Sequence, residues 1–384
     1  MKSSDPRLHN LSEFSPHHLR FRSEVREFAE EELFDSSFEI DREERFPEEK
    51  IRRLAQKGWL GIPFPEKYGG LGLDTISYII AVEEIGRVCA STGITLAAHI
   101  SLGCYPIYAH GTEDQKKKYL IPLLKGEQLG SFGLTEPNAG SDAGATETTA
   151  RKEGDFYIIT GTKRFITSGS IAGTLVITAT EDRSLGVHGI SAFIIDTKTE
   201  GFKPIKDETK LGLRGSITSE LSLEECRIPK ENLLGRPREG FKIFMETLDG
   251  GRISIGALAL GIAQGALDFL IDYVTKSNLK KRQWVQKTVA DLATEIMAAR
   301  HLIYHAAKLK DEGKRVTLEG AAAKLFASEV SMRATRRAIQ ITGCEGLVSR
   351  FPLERFLRDT KLNEIGEGTS EIQRIVIARQ LLGR

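Results

Sequence analysis

The stretch "GFKIFMETLDGGRISIGALALGIAQGALDFLIDYV", residues 240–274, reads as one long helix whose repeated glycines let neighbouring helices approach closely. Such an element needs helical partners, and the sequence supplies them. "VQKTVADLATEIMAARHLIYHAAKLK" and "LEGAAAKLFASEVSMRATRRAIQIT" follow it, and "KLNEIGEGTSEIQRIVIARQLL" ends in one more helix. Residues 15–125 are also helical in texture: "HHLRFRSEVREFAEEELF" repeats apolar residues at helical spacing, and a Gly/Pro loop, "GIPFPEKYGGLGLD", precedes a long apolar run. Between these regions "DFYIITGTKRFIT", "TLVITAT", "GISAFIID" and "ELSLEECRIP" are β-branched or alternating runs parted by Gly, Asp or Ser. The order predicts an α+β multidomain chain: an N-terminal helical domain over 1–125, a small antiparallel β-domain (barrel- or sandwich-like) over 126–236, and a C-terminal four-helix bundle over 237–384.

At 384 residues the chain is long enough for two or three packed units. A formal net charge of +1 leaves no electrostatic footprint for nucleic acid or an acidic membrane surface, so an anionic ligand has to be met locally. The four cysteines (Cys89, Cys104, Cys226, Cys344) are far apart and form no C-x-x-C pair, which fits reduced thiols better than a disulfide framework or a zinc site. The opening "MKSSDPRLHN" has no apolar run, and no run of about 18 apolar residues occurs elsewhere. The expectation is a soluble, cytoplasmic protein without a nucleic-acid or membrane partner.

Four segments could carry chemistry. "SFGLTEPNAGSDAGATETTA" (131–150) gathers backbone amides and hydroxyls that can cradle phosphates or the polar edge of a ring, although most such loops are plain linkers. "GTKRFITSGS" (161–170) ends a strand with Phe165, Thr167 and Ser168, an aromatic and two hydroxyls suited to a flat heterocycle. "LDGGRISIG" (248–256) puts Asp249 and Arg252 on one helical face, either as a surface ion pair worth little or as a recognition pair. "IGEGTSEIQR" sets Glu367 between two glycines. Its local reading is a turn, with Ser370 capping the next helix, Gln373 completing a capping box, and Ile372, Ile375 and Val376 forming the buried stripe.

Taken together and in order, these blocks resemble the acyl-CoA dehydrogenase family over nearly the whole chain, "LTEPNAGSD" and "EGTSEIQR" most specifically. The resemblance implies oxidation of an acyl-CoA thioester to its 2-enoyl-CoA with bound FAD, electrons passing to an electron-transfer flavoprotein. It implies a carboxylate base for the α-proton and a flavin that accepts the β-hydride. Two donors, the backbone N–H of the base and a flavin hydroxyl, would hold the thioester carbonyl.

By position, Glu367 is the base. A glutamate of ordinary pKa is too weak for a carbon acid, so burial beside an acyl chain should raise it. One branch of the family draws its base from the helix of the Asp-x-x-Arg pair, but there this chain has Gly251, which cannot serve. The same matching assigns Phe132, Leu134, Thr135, Gly140, Ser141, Phe165, Thr167, Thr369 and Glu371 to FAD, with Gln283, Gln340 and Gly343 at its ADP half. Ser141, Asp249, Arg252, Gly366 and Gly368 fall on the substrate side. A homotetramer, a dimer of dimers with FAD at the dimer interface, is the family expectation.

Three departures stand out. The family's R-x-Q-F-G motif is absent from "YVTKSNLKKRQWVQKTVADLAT", a segment about five residues short, and Cys344 replaces the second glycine of a Gly-Gly pair. Both fall on the ADP half of the cofactor. Position 366 is glycine where straight-chain enzymes commonly have tyrosine, which suggests room for a branched or cyclic acyl group, and Gly93 stands where a dicarboxylate enzyme needs arginine. An oxidase or enoyl-CoA reductase on the same scaffold, and a flavin-poor acyl-CoA-binding protein, remain alternatives.

Overall fold

The computed structural model describes residues 14–383. The first region is helical: α1 (Pro16–Phe28), α2 (Phe34–Glu43), α3 (Glu48–Gln56), α4 (Thr75–Gly86), α5 (Ala90–Ala98), α6 (Tyr105–His110), α7 (Glu113–Gln115) and α8 (Ile121–Leu124). Asp74 starts α4 as its N-cap, accepting from the Ser77 amide at 2.8 Å. A π-helical turn, His99–Cys104, follows α5 and re-aims the chain beside the site described below. The last region holds α9 (Gly240–Lys276), α10 (Gln283–Asp311), α11 (Thr317–Thr342), α12 (Leu353–Thr360) and α13 (Ser370–Leu382).

The two helical regions do not keep separate cores. One continuous apolar cluster runs from Val25 and Ile79 through Leu258 and Ile262 to Ala327 and Phe356. α9 lies at its centre. A side chain at Gly261 would collide with the Glu83 carbonyl and the Arg87 amide, so α4 and α9 touch backbone to backbone there. By length and composition α9 could cross a bilayer, yet 94% of its most apolar stretch is buried inside the fold, which makes it a core helix. The same helical core is cross-tied by charge. Glu83 on α4, 1% exposed, accepts from Arg22 of α1 (3.1 Å) and from Arg300 (2.7 Å) and Tyr304 (2.7 Å) of α10.

The middle region is one eight-stranded sheet with its own inner core, including Tyr157, Ile159, Phe193, Leu221 and Ile228. The strands are β1 (Gly130–Gly133), β2 (Thr149–Glu153), β3 (Phe156–Thr167), β4 (Thr174–Thr180), β5 (Ile190–Asp196), β6 (Phe202–Asp207), β7 (Thr218–Pro229) and β8 (Leu233–Leu234). Pairing is mostly antiparallel, in the order β6-β7-β3-β2-β4-β5-β8, but β1 and β2 both lie parallel to β4. β1 pairs with residues 174–177 and β2 resumes at Thr180, so the segment 134–148 is an excursion out of one strand line. That is how "LTEPNAGSD" comes to project from the sheet.

Candidate active site

The turn before α13 is built from two successive left-handed residues, Glu367 (φ 54°) and Gly368 (φ 93°). The second position suits glycine; the first is unusual for a glutamate and persists only where the surroundings over-determine it. Three donor contacts do so. Lys324 Nζ of α11 donates to the Gly368 carbonyl at 2.7 Å, and Gln373 Nε2 donates to the carbonyls of Glu367 (3.1 Å) and Gly368 (2.9 Å). This corrects the expected capping box. Thr369 is the N-cap, its hydroxyl accepting from the Ile372 amide at 3.3 Å, while Ser370 is the first helical residue and Gln373 turns back to the carbonyls. The expected apolar stripe is also not buried: Ile375 is 44% exposed, and Ile372 and Val376 are half-buried.

The left-handed turn drives the Glu367 side chain toward α9 at Gly251, beside Leu102 of the π-helical turn. The residue as a whole is half-buried, but Oε2 is sealed from solvent and has no hydrogen-bond partner among the described residues. Burial pushes its pKa up to about 7, against the opposing pull of Lys324 and Arg252. Beneath lies a buried polar floor. The Tyr78 hydroxyl donates to the Ala97 carbonyl (2.8 Å), Ser101 to the same carbonyl (2.7 Å), and Ser254 to the Gly251 carbonyl (2.9 Å).

Asp249 and Arg252 form no surface pair. Arg252 is 5% exposed, its Nη1 donates to Asp249, and its buried Nε has no partner among the described residues. Asp249 also accepts from Thr317. Lys310 stands close by, with Nζ 4.4 Å from the Tyr105 ring centroid and its pKa pushed down to about 8 by burial. The pair therefore belongs to a polar patch on the same helix as Gly251.

The segments 131–135 and 164–167 lie side by side as a ledge. Ser131 Oγ donates to the Thr167 carbonyl (2.6 Å) and the Arg164 amide to the Thr135 carbonyl (2.8 Å). A break in the β3–β7 register between Lys163 and Ile166 puts Phe165 in the left-handed region (φ 57°) and turns its ring outward, 57% exposed. Buried Glu136 accepts from Lys163 Nζ (2.7 Å) and from the amides of Glu147 and Thr148, which fixes the foot of the excursion. Phe132 is nearly buried and stacks on Phe244 of α9 at 4.0 Å, so it joins sheet to helix. Leu134, Thr135 and Thr167 are half-buried along the ledge, and Gly140 and Ser141 are exposed farther out on the excursion. An exposed aromatic ring beside two threonines is a surface that a flat heterocycle can cover, so the ring half of FAD fits these residues.

Gln283, Gln340, Gly343 and Cys344 are all exposed and cluster at the far end of the α10–α11 hairpin. Gln340 lies 16 residues beyond Lys324 on α11, about 24 Å along the helix axis. The chain thus brings Glu367, Gly368, Asp249 and Arg252 together and keeps the residues expected at the ADP half away from them. Thr369 is spent as a cap, and Glu371 is exposed on the first turn of α13. Two surface cavities of about 570 and 600 Å³, one beside Phe14 and Tyr304 and one beside Arg151 and Arg238, share no residue with this site.

Lys324 and Tyr78 went unnoticed in the sequence. A signal existed for the first: "GAAAKLFAS" places a lysine inside a run of small apolar residues, where a buried helix face is expected.

Family models described as the N-terminal, middle and C-terminal domains of acyl-CoA dehydrogenase match residues 15–127, 131–226 and 238–382. The chain belongs to the acyl-CoA dehydrogenase family. It is 50% identical to the short-chain specific acyl-CoA dehydrogenase of Clostridium acetobutylicum over 365 residues, 94% of this chain and 96% of that one. Among solved structures it is similar to butyryl-CoA dehydrogenase from Megasphaera elsdenii (TM-score 0.95, 43% identity, 97% of this chain and 100% of that chain). It is also similar to a chain in the structure described as the electron transferring flavoprotein of Acidaminococcus fermentans (TM-score 0.96, 48% identity, 98% and 100%).

Within this acyl-CoA dehydrogenase framework the two glycines read as substrate clues differ. A Cβ at Gly366 would find Leu362 nearest, at 3.5 Å, an ordinary contact. A Cβ at Gly93 would press on Leu258 Cδ1 at 2.8 Å and on Gly86 at 3.2 Å, where α5 crosses α9 and α4. Position 93 is a helix crossing where a side chain would require Leu258 and α4 to give way.

Proposed function

We propose that this acyl-CoA dehydrogenase oxidises short acyl-CoA thioesters to the 2-enoyl-CoA, with the Glu367 carboxylate taking the α-proton. The observation that carries the reading is Glu367 Oε2: buried, without a partner, and facing the space left by Gly251. A carboxylate with its pKa near 7 is matched to neutral pH, ionised in a useful fraction yet basic enough to accept a proton from carbon. Desolvation adds to its reactivity, because no protein donor among the described residues holds that oxygen. The left-handed backbone at 367–368 leaves the Glu367 amide to hold the thioester carbonyl, where charge develops as the proton leaves. Asp249, Arg252 and Lys310 supply polar contacts for the CoA portion.

Phe132, Leu134, Thr135, Gly140, Ser141, Phe165 and Thr167 would hold the ring half of FAD, which when bound supplies the hydride acceptor. Gln283, Gln340 and Gly343, exposed at the far end of the α10–α11 hairpin, would serve the ADP half from the partner subunit of a homotetramer. An electron-transfer flavoprotein is the proposed electron acceptor, supported by the likeness to the Acidaminococcus fermentans chain. A short acyl chain agrees with the Clostridium acetobutylicum relative, and Gly366 leaves room beside Cα for a branch.

The test is an anaerobic titration of the purified protein with butyryl-CoA, following flavin absorbance and enoyl product. Bleaching with formation of crotonyl-CoA is expected. A protein without flavin that regains none from added FAD, yet binds the thioester, would be an acyl-CoA-binding protein instead.

A further inference from the structure

α11 is bonded to the segment around Glu367, residues 360–368, through three residues on one of its faces, Lys324, Ser328 and Ser331, spaced four and three apart. Ser331 Oγ accepts from the Thr360 hydroxyl (2.6 Å), and Ser328 Oγ donates to the Asn363 carbonyl (2.8 Å). Lys324 Nζ donates to the Gly368 carbonyl (2.7 Å). All three residues are 0% exposed. Two rungs of this ladder need only a hydroxyl, and the third is an ammonium.

A buried ammonium is far more costly than a buried hydroxyl unless a negative charge faces it. Among the described residues no carboxylate lies within ion-pair distance of Nζ. The charged groups around it are Glu367, Glu364 and Glu371 on its own side of the turn and Arg252 across from it on α9, with Glu367 the strongest influence. Glu367 in turn is faced by Lys324, by Arg252 and by the Tyr78 phenol of α4.

Resting on the reading of Glu367 as the base, we propose that Lys324 is a positioning residue: its ammonium clamps the Gly368 carbonyl, holds the left-handed turn that aims the carboxylate at Gly251, and favours the ionised base. A hydroxyl at the same rung could do the first two of these things and not the third. Arg252 alone does not replace it, since its guanidinium is engaged with Asp249.

The test uses the holoenzyme and an acyl-CoA analogue with sulfur in place of Cβ, which can lose an α-proton but no β-hydride. Deuterium uptake at Cα from heavy water is followed by mass spectrometry against pH. Lys324→Gln keeps a donor for the carbonyl and removes the charge, so the midpoint of its profile should rise by about 1–3 pH units, with exchange recovering at high pH. Lys324→Arg should keep the wild-type midpoint. Ser328→Ala, an uncharged rung, should lower exchange evenly without moving the midpoint. If Lys324→Gln and Ser328→Ala behave alike, with unmoved midpoints, Lys324 is only a structural tie and the proposal fails. Should Lys324→Gln not fold, Lys324→Arg decides: exchange with the wild-type midpoint supports the proposal, and loss at every pH overturns it. Undiminished exchange by Glu367→Gln would sink the base reading itself, an outcome separate from any result at Lys324.

Discussion

The carboxylate of Glu367 occupies the volume that a side chain at position 251 would need, so that a Cβ on Gly251 would overlap Oε2. The two residues are 116 positions apart in the chain. Gly251→Ala should therefore fold, since alanine favours a helix, yet displace the carboxylate by about 1 Å or more and lower turnover by about 10²-fold. Steady-state kinetics beside a circular-dichroism melt checks both halves. Full activity would mean that the carboxylate works from elsewhere.

Glu367 also links stability to pH. Burial holds its pKa up to about 7, above the ordinary carboxylate value near 4.3. The folded protein thus binds this proton more tightly than the unfolded chain does. That contribution is complete below about pH 4.3 and is lost as the pH rises through 7. Glu367→Gln, always neutral, escapes the loss. Urea denaturation should find the variant more stable at pH 8, by something on the order of 1–3 kcal/mol, with the gain fading toward pH 4. A variant no more stable at pH 8 than at pH 4, relative to wild type, would contradict a desolvated carboxylate.

Gly366 bears on acyl shape. Because the nearest atoms to a Cβ there, those of Leu362, lie at ordinary contact, Gly366→Tyr should be accommodated by the backbone and narrow the space beside Cα. Its kcat/KM should fall about tenfold or more for branched acyl-CoAs and much less for butyryl-CoA. Equal losses across the panel would show that position 366 does not face the acyl group.

Glu83 tests what holds the two helical regions together. It accepts from Arg22, Arg300 and Tyr304 while fully buried, so Glu83→Ala removes the shared acceptor of all three and leaves Arg22 to Glu84 and Arg300 to the neutral Gln264. The expected loss is about 3–5 kcal/mol in denaturant unfolding. A loss under about 1 kcal/mol would mean that Glu84 and Gln264 are sufficient partners for the two arginines.

Much of this was legible from residues alone, for identifiable reasons. The helical and strand textures survive because hydrophobic period is a local property, and Glu367 stood out because two glycines isolate it within a specific block. What stayed hidden depends on non-local packing. Thr369 and Ser370 are both competent caps, and only the fold, by turning Gln373 back onto two carbonyls, selects Thr369. The strand pattern through Phe165 conceals a register break that shows only against β7. Asp249 and Arg252 read equally well as a surface pair until α9 is seen at the centre of the core. Lys324 went unremarked because its acceptor, the Gly368 carbonyl, lies 44 residues away.

The most direct measurement is deuterium uptake at Cα of the sulfur-substituted acyl-CoA by wild type and Glu367→Gln, with binding of the analogue measured alongside. Wild type should exchange the α-proton, and the variant should bind the analogue while exchange falls by about 10²-fold or more. Exchange by Glu367→Gln at the wild-type rate would contradict the central claim.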